Sequence, residues 1–177
     1  TQGSYRVTDN TFDIAIEGDG FFAIEFTNKA GETSTKYTRA GAFTLDSQGY
    51  LVTNEGDYVL DTNSRRIRLN PLYDADIDTD GTINQNGTRV AQIQITDFED
   101  YNYLERYGET YFQPLEGAKT TTASAKVHSG CLEMANVQVV SEMVNMIAIT
   151  RQYESNQKIM QTYDRTLDIA VNELGKV

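Results

Sequence analysis

Three short runs in this sequence hold residues of the kinds that do chemistry, and each lacks a part that its chemistry needs. Gly18-Asp19-Gly20-Phe21-Phe22-Ala23 fits the spacing G-x-G-x-x-A. That spacing holds a dinucleotide where a strand feeds a helix whose N-terminus meets the pyrophosphate. Here it feeds Phe22, Ile24 and Phe26, an alternation that belongs to a strand, so Gly18 and Gly20 read as a tight turn. Asp74, Asp76, Asp78 and Asp80 run up to Gly81 in the D-x-D-x-D-G order that opens an EF-hand loop. Counted from Asp76, the position that needs a bidentate Glu falls on Gly87, and no helical pattern flanks the run. Asp76, Asp78 and Asp80 remain candidates for a weak cation site only, set against a solvated hairpin turn at Asp80 and Gly81.

Catalysis finds little to stand on. His128 is the only histidine and Cys131 the only cysteine, and no G-x-S-x-G elbow is present. Pairs of carboxylates are available by abundance alone, with 26 acidic residues in the chain. We therefore expect no enzyme activity, no cofactor and no dedicated metal site. One cysteine also excludes an internal disulfide framework. The formal charge of -11 argues against nucleic acid, which needs clustered Lys and Arg to neutralise phosphates. No apolar run approaches the length of a membrane span, so no membrane insertion is expected.

The elements that position these residues fall into two kinds. Residues 1–131 carry strand alternation at Ile14 and Ile16, at Phe22, Ile24 and Phe26, and at Phe43 and Leu45. Turn signals break it at Gly18 to Gly20, Asn28 to Gly31, Asp46 to Gly49, Asn54 to Asp57, Asp78 to Gly81 and Asn84 to Gly87. Leu45 to Gly56 and Ile77 to Gly87 share the pattern Asp-x-x-Gly-x-[Leu/Ile] followed by a second glycine turn, which suggests duplicated hairpins in one sheet. Residues from about 99 to 126 read as an irregular connection: a tyrosine-rich and charged part from Tyr101 to Tyr111, then a polar linking strand or loop from Pro114 to Ala125. The expected fold is mainly β, a hairpin-rich β domain followed by a long C-terminal α-helix of coiled-coil type over 132–177.

That helix is read from seven-residue spacing. Val139, Met146, Tyr153, Met160, Leu167 and Leu174 form one line, and Ile149, Tyr163, Ala170 and Val177 a second line three residues later, together the a/d seam of a coiled coil. Glu142 and Asn156 interrupt the second line and read as devices for register and partner choice. Asn136 is the expected N-cap, no Pro or Gly follows until after Leu174, and Glu154 with Lys158 offers an i,i+4 pair. About 38 residues would make a rod of roughly 57 Å, too long for a domain of this size to cover. Covering the first line would stabilise by about 10 kcal/mol, so a partner helix is expected, from another molecule or from a segment outside this sequence. The opening residues, TQGSYRVTDN, read as the middle of a longer polypeptide.

Three collinear stretches carry a resemblance to a known family. Thr1 to Phe22, Tyr37 to Leu60 and Leu132 to Thr162 closely resemble the bacterial flagellar rod and hook proteins, nearest to distal-rod members, with proximal-rod members close behind and hook subunits a further alternative. The resemblance implies a structural subunit that is passed through the flagellar export apparatus and stacks helically into the rod or hook, transmitting torque and lining the export channel. Its localisation would be the basal body, outside the cytoplasmic membrane. Its partners would be other copies of itself, neighbouring rod and hook proteins, and the family's N-terminal helix, which this sequence lacks. Carried over by position, Val139, Met143, Met146, Ile149, Tyr153, Met160, Tyr163, Leu167 and Leu174 would make the assembly contacts. Gly18, Gly20, Phe21, Phe22, Tyr37, Arg39, Gly41 and Phe43 would mark the turns and core of the β domain. Ser64 to Lys126 resembles the family less distinctly. The competing class is a secreted β binding module, calcium-dependent or sugar-binding, on a coiled-coil oligomerisation stalk.

Overall fold

The computed structural model describes residues 2–137 and 139–174, with the side chains of Val139, Glu173 and Leu174 outside the description. The chain divides into two compact units, Thr1–Ala135 and Asn136–Val177. In chain order the first unit contains β1 (Tyr5–Val7), β2 (Ile14–Glu17), β3 (Phe21–Thr27), β4 (Thr33–Thr38), β5 (Phe43–Leu45), β6 (Leu51–Thr53), β7 (Tyr58–Val59) and β8 (Ala75–Ile77). It continues with β9 (Thr82–Gln85), β10 (Thr88–Gln92), β11 (Ile95–Phe98), β12 (Leu104–Tyr107), β13 (Tyr111–Pro114), β14 (Thr120–Thr122), β15 (Lys126–Ser129) and β16 (Cys131–Glu133). The second unit holds one helix, α1 (Val139–Leu174). The mainly β fold class with a C-terminal helix is what the sequence pattern leads one to expect.

The strand pairings are antiparallel throughout the described residues. The largest sheet runs β12-β13-β4-β3-β7-β6-β5, with β11 joining β3 to β14. A separate three-stranded sheet has the order β10-β9-β8, and two ribbons pair β15 with β2 and β1 with β16. In β3 successive side chains separate to opposite faces. Phe22 and Ile24 enter the main core with Ile14, Ile16, Phe43, Leu51, Val59, Ile67, Ile83 and Val127. Ala23 enters a second cluster with Tyr37, Leu60 and Phe98, against which Phe21 packs. The Phe22 and Phe43 rings meet edge to face at 5.1 Å in the middle of the main core.

One turn recurs five times. At Asn28, Asp46, Thr53, Asp61 and Asp78 the residue's own N–H donates to the carbonyl four residues on, and its carbonyl accepts the N–H three residues on. The fourth residue then takes a positive φ: 85° at Gly31, 84° at Gly49, 94° at Gly56, 56° at Ser64 and 81° at Gly81. This is a type I turn closed by a bulge, the geometry that lets a three-residue loop join two strands. Side chains reinforce it from the first position. The Oδ1 atoms of Asn28, Asp46 and Asp61 each accept two backbone N–H groups of their own loop. At Asp61 burial opposes ionisation, but the N–H groups of Arg65 and Asn63 and the side chains of both residues outweigh it and hold the carboxyl below its ordinary value.

Four expectations change here. The two similar hairpins do not share a sheet: Leu45 to Gly56 lies in the large sheet and Ile77 to Gly87 in the three-stranded one. What they share is turn chemistry, which fixes the loop and leaves the pairing of its flanks to burial. The part from Tyr101 to Tyr111 is not an irregular connection, since β12 and β13 form a hairpin in register from Leu104↔Pro114 to Tyr107↔Tyr111, whereas the stretch from Pro114 to Ala125 does hold a linking strand, β14, paired with β11. Alternation is hidden there because β12 is a sheet edge, where charged residues such as Glu105 and Arg106 suit an unpaired flank. Buried Lys36 ties this hairpin to β4, donating to Gln113 while its ammonium sits 4.3 Å from the Tyr107 ring centroid. At the junction, Cys131–Glu133 is a strand and the helix is described only from Val139, later than the expected start at 132. The expected cap, Asn136, precedes the helix by three residues, and Gln138 between them lies outside the described residues. Lastly, Glu154 and Lys158 are both exposed and form no ion pair with each other, consistent with the small worth of such surface pairs.

Gly41 shows how tightly the unit closes. Its carbonyl accepts the Ile14 N–H at 2.8 Å, and a Cβ added there would lie 1.7 Å from the Ile14 carbonyl oxygen. Gly41→Ala should therefore destabilise the β unit by about 3 kcal/mol, read as a lowered urea midpoint with an unchanged denaturant slope. Asp61→Ala should cost roughly 1–2 kcal/mol at neutral pH through the lost turn contacts. Because the folded-state pKa of Asp61 is depressed, its charge-dependent contribution is complete above the ordinary carboxylate range and is lost as the pH falls through the folded value. Urea titrations of both proteins should accordingly show the gap narrowing below about pH 4.

Candidate assembly surface

Helix α1 runs for 36 residues, about 54 Å, without a break. Its polar side chains look after themselves: Thr150, Thr162 and Thr166 each donate to the carbonyl four residues back, and Asn172 donates to Asp168. Its apolar side chains do not. Met143, Met146, Ile149, Tyr153, Met160, Tyr163 and Leu167 are all between 59% and 70% exposed. Ala170 is half-buried, Val139 and Leu174 have undescribed side chains, and Val177 lies outside the described residues.

Because an α-helix turns 3.6 residues at a time, a line with seven-residue spacing drifts around the axis unless the helix supercoils about a partner. The sequence reading passed over a further set, Val140, Val144 and Ile147, all exposed at i, i+4 and i+7. The signal was present in the spacing, but a heptad template centred on Val139 looks past it. It widens the apolar arc of the first three helical turns.

Of the family-motif residues, Arg39, Gly18 and Gly20 meet at one turn, while the aromatic ones divide between the two cores. Gly18 and Gly20 form the turn that links β2 to β3, a strand and not a helix, so the dinucleotide geometry is missing. Arg39 reaches into that turn, donating to the Gly18 and Gly20 carbonyls at 2.9 and 3.1 Å. The same guanidinium pairs with Glu133 at 3.1 Å. Phe22 and Phe43 belong to the main core, while Phe21 and Tyr37 belong to the second cluster.

The remaining candidates for chemistry are occupied by their own neighbours. Asp80 accepts the N–H and hydroxyl of Thr82, which hold its carboxyl below the ordinary value, and Asp78 accepts the Asn84 amide at 2.7 Å. Asp76 is exposed on β8. Among the described residues no three His, Cys, Asp or Glu side chains are grouped to hold a metal ion. His128 lies 2.7 Å from Glu17 across the β2–β15 ribbon, a hydrogen bond that lowers the Glu17 pKa. Cys131 does not face His128: its Sγ approaches only the carbonyls of His128 and Ser129. Among the described residues no helix is long and apolar enough to cross a membrane.

Comparison with known proteins agrees with this anatomy. Residues 15–96 match the family described as Flagellar hook protein FlgE/F/G D1 domain, and residues 128–173 match Flagellar basal body rod FlgEFG protein C-terminal. The flagellar basal-body rod protein FlgF of Caulobacter vibrioides is 35% identical over 100% of this chain and 71% of its own length. FlgG of Bacillus subtilis is 35% identical over 93% of this chain and 66% of its own length. FlgG of Caulobacter vibrioides is 33% identical over 94% of this chain and also 66% of its own length. The chain thus spans about two thirds of the FlgG relatives, and the identities do not separate one rod protein from the other. With its β unit and its helix matched in order, the chain belongs to the flagellar basal-body rod and hook protein family.

Proposed function

We propose that this protein is a structural subunit of the bacterial flagellar basal-body rod, with a place in the distal rod, and that α1 is the element through which it assembles. The observation that carries the reading is the helix itself, which leaves seven large or aromatic seam residues more than half exposed. Covering that many side chains is worth about 10 kcal/mol, on the scale of the whole stability of a domain. A partner for such a seam is a helix, supplied by a neighbouring subunit or by the part of the relatives' length that this sequence does not cover. The β unit, with its own two cores, is the outer body that neighbouring copies and other rod or hook proteins contact. Delivery through the flagellar export apparatus and a role in lining the channel accompany this reading, as does torque transmission summed over many repeated contacts.

Electron microscopy of basal bodies from a strain lacking the gene tests the role. Rods that stop short and carry no hook, restored by the full-length gene, are expected, and the point at which they stop separates a distal from a proximal or hook position. Intact motile flagella would overturn the reading. The seam is tested separately with the double substitution Met146→Asp and Tyr153→Asp. Assembly should be abolished, while the purified variant keeps the wild-type melting transition of the β unit, because neither side chain belongs to a core cluster.

A further inference from the structure

Strand β16 is the last β element before α1 in the chain, so any force carried along the backbone from the helix enters the β unit through it. Among the described residues its pairing partner is β1, whose three residues are all exposed. A two-stranded ribbon with so little buried surface is marginal by itself. At its near end, where Val7 faces Cys131, the Cys131 N–H donates to the Asp13 carbonyl. At its far end, where Tyr5 faces Glu133, the Tyr5 hydroxyl and the Gln2 side-chain amide both donate to the Ile16 carbonyl, and a carboxylate adds the tie to the rest of the unit. Glu133, 16% exposed, takes the Gly3 N–H on Oε1 and the Arg39 guanidinium on Oε2.

Arg39 is the other half of that anchor. It follows β4, one strand of the large sheet, and the backbone beyond it is pinned where Gly41 meets Ile14. Its planar fork also reaches the Gly18 and Gly20 carbonyls, a set of acceptors that a single-point ammonium cannot satisfy at once. The guanidinium therefore joins three things: the ribbon that leads to α1, the β2–β3 turn, and the sheet that surrounds the main core.

We propose that the Arg39–Glu133 pair is a force-transmitting brace that couples the β1–β16 ribbon to the body of the β unit. Both residues act as positioning residues: the pair holds the ribbon in place and adds little to the core. The coupling to load rests on the rod-subunit reading, whereas the brace itself can be tested on purified protein.

Amide exchange on the full chain is the first test, with Glu133→Ala and Arg39→Lys compared to wild type. The Thr8 and Met134 amides, which bond to the Gly130 and Ser4 carbonyls across the ribbon, should exchange at least about tenfold faster. The Leu51 and Ile67 amides, bonded within the main core, should stay within about twofold of wild type. Equal acceleration in both regions, an unfolded variant, or no acceleration at all would each overturn the brace, since each would make the pair a global or a dispensable contact. In cells, the Glu133→Ala protein should build flagella in normal number that drive swimming in dilute medium and fail in viscous medium. Normal swimming at every viscosity, or loss of assembly, would refute the coupling to load. The deletion strain reports on the rod reading independently of both results.

Discussion

Apolar surface has to be covered, and the two parts of this chain meet that requirement in different ways. The β unit covers its own: Phe22, Phe43, Ile14, Ile16 and their neighbours are almost wholly buried, and a second cluster on the opposite face of β3 takes up Tyr37, Leu60 and Phe98. The helix has the same kinds of side chain and leaves them exposed over most of its length. Helical hydrogen bonds do not make up that difference, because propensity alone leaves an isolated helix marginal in water. The helix therefore carries apolar side chains that stand exposed, where those of the β unit are covered.

How much of this could be read from the sequence depended on how local the physics was. Turn chemistry is local, so the loops at Asn28, Asp46 and Asp78 were legible from a polar first residue and a following glycine, and the loop at Thr53 was read one residue late, from Asn54. The fifth loop, at Asp61, was not, because Ser64 stands where the others place glycine and takes the positive φ itself. Sheet membership is not local. Two hairpins with one turn pattern lie in different sheets, and the β12–β13 hairpin showed charge where a half-buried strand shows alternation. The helix was legible because its apolar periodicity persists over its whole length, while Val140, Val144 and Ile147 were masked by the stronger line beside them. At the candidate site, the resemblance marked Arg39 as part of a motif but said nothing of its reach to Glu133, 94 positions along the chain.

The acidic composition also has a structural account. Asp46, Asp61 and Asp80 place their carboxylates on backbone N–H groups of their own turns, where ionised acceptors bond more strongly than neutral ones. A protein that closes strand after strand with such loops accumulates aspartate without needing a cation for it. The run from Asp74 to Asp80 follows the same logic, since two of its four carboxylates serve the β8–β9 hairpin. A calcium-like spacing here arises from alternation along a strand that ends in a turn.

These two ways of covering apolar surface have a thermodynamic consequence for a polymer subunit. A chain whose every part folds alone gains only contact energy on assembly, which has to overcome the entropy of association. A chain with a preformed β unit and an uncovered helix gains the helix's own burial as well, at the moment when its partner arrives. Its stability then becomes a function of protomer concentration for the helix and remains independent of concentration for the β unit. A helix transition that rises with protomer concentration, beside a β-unit transition that does not, is the behaviour that follows if α1 is the element of assembly.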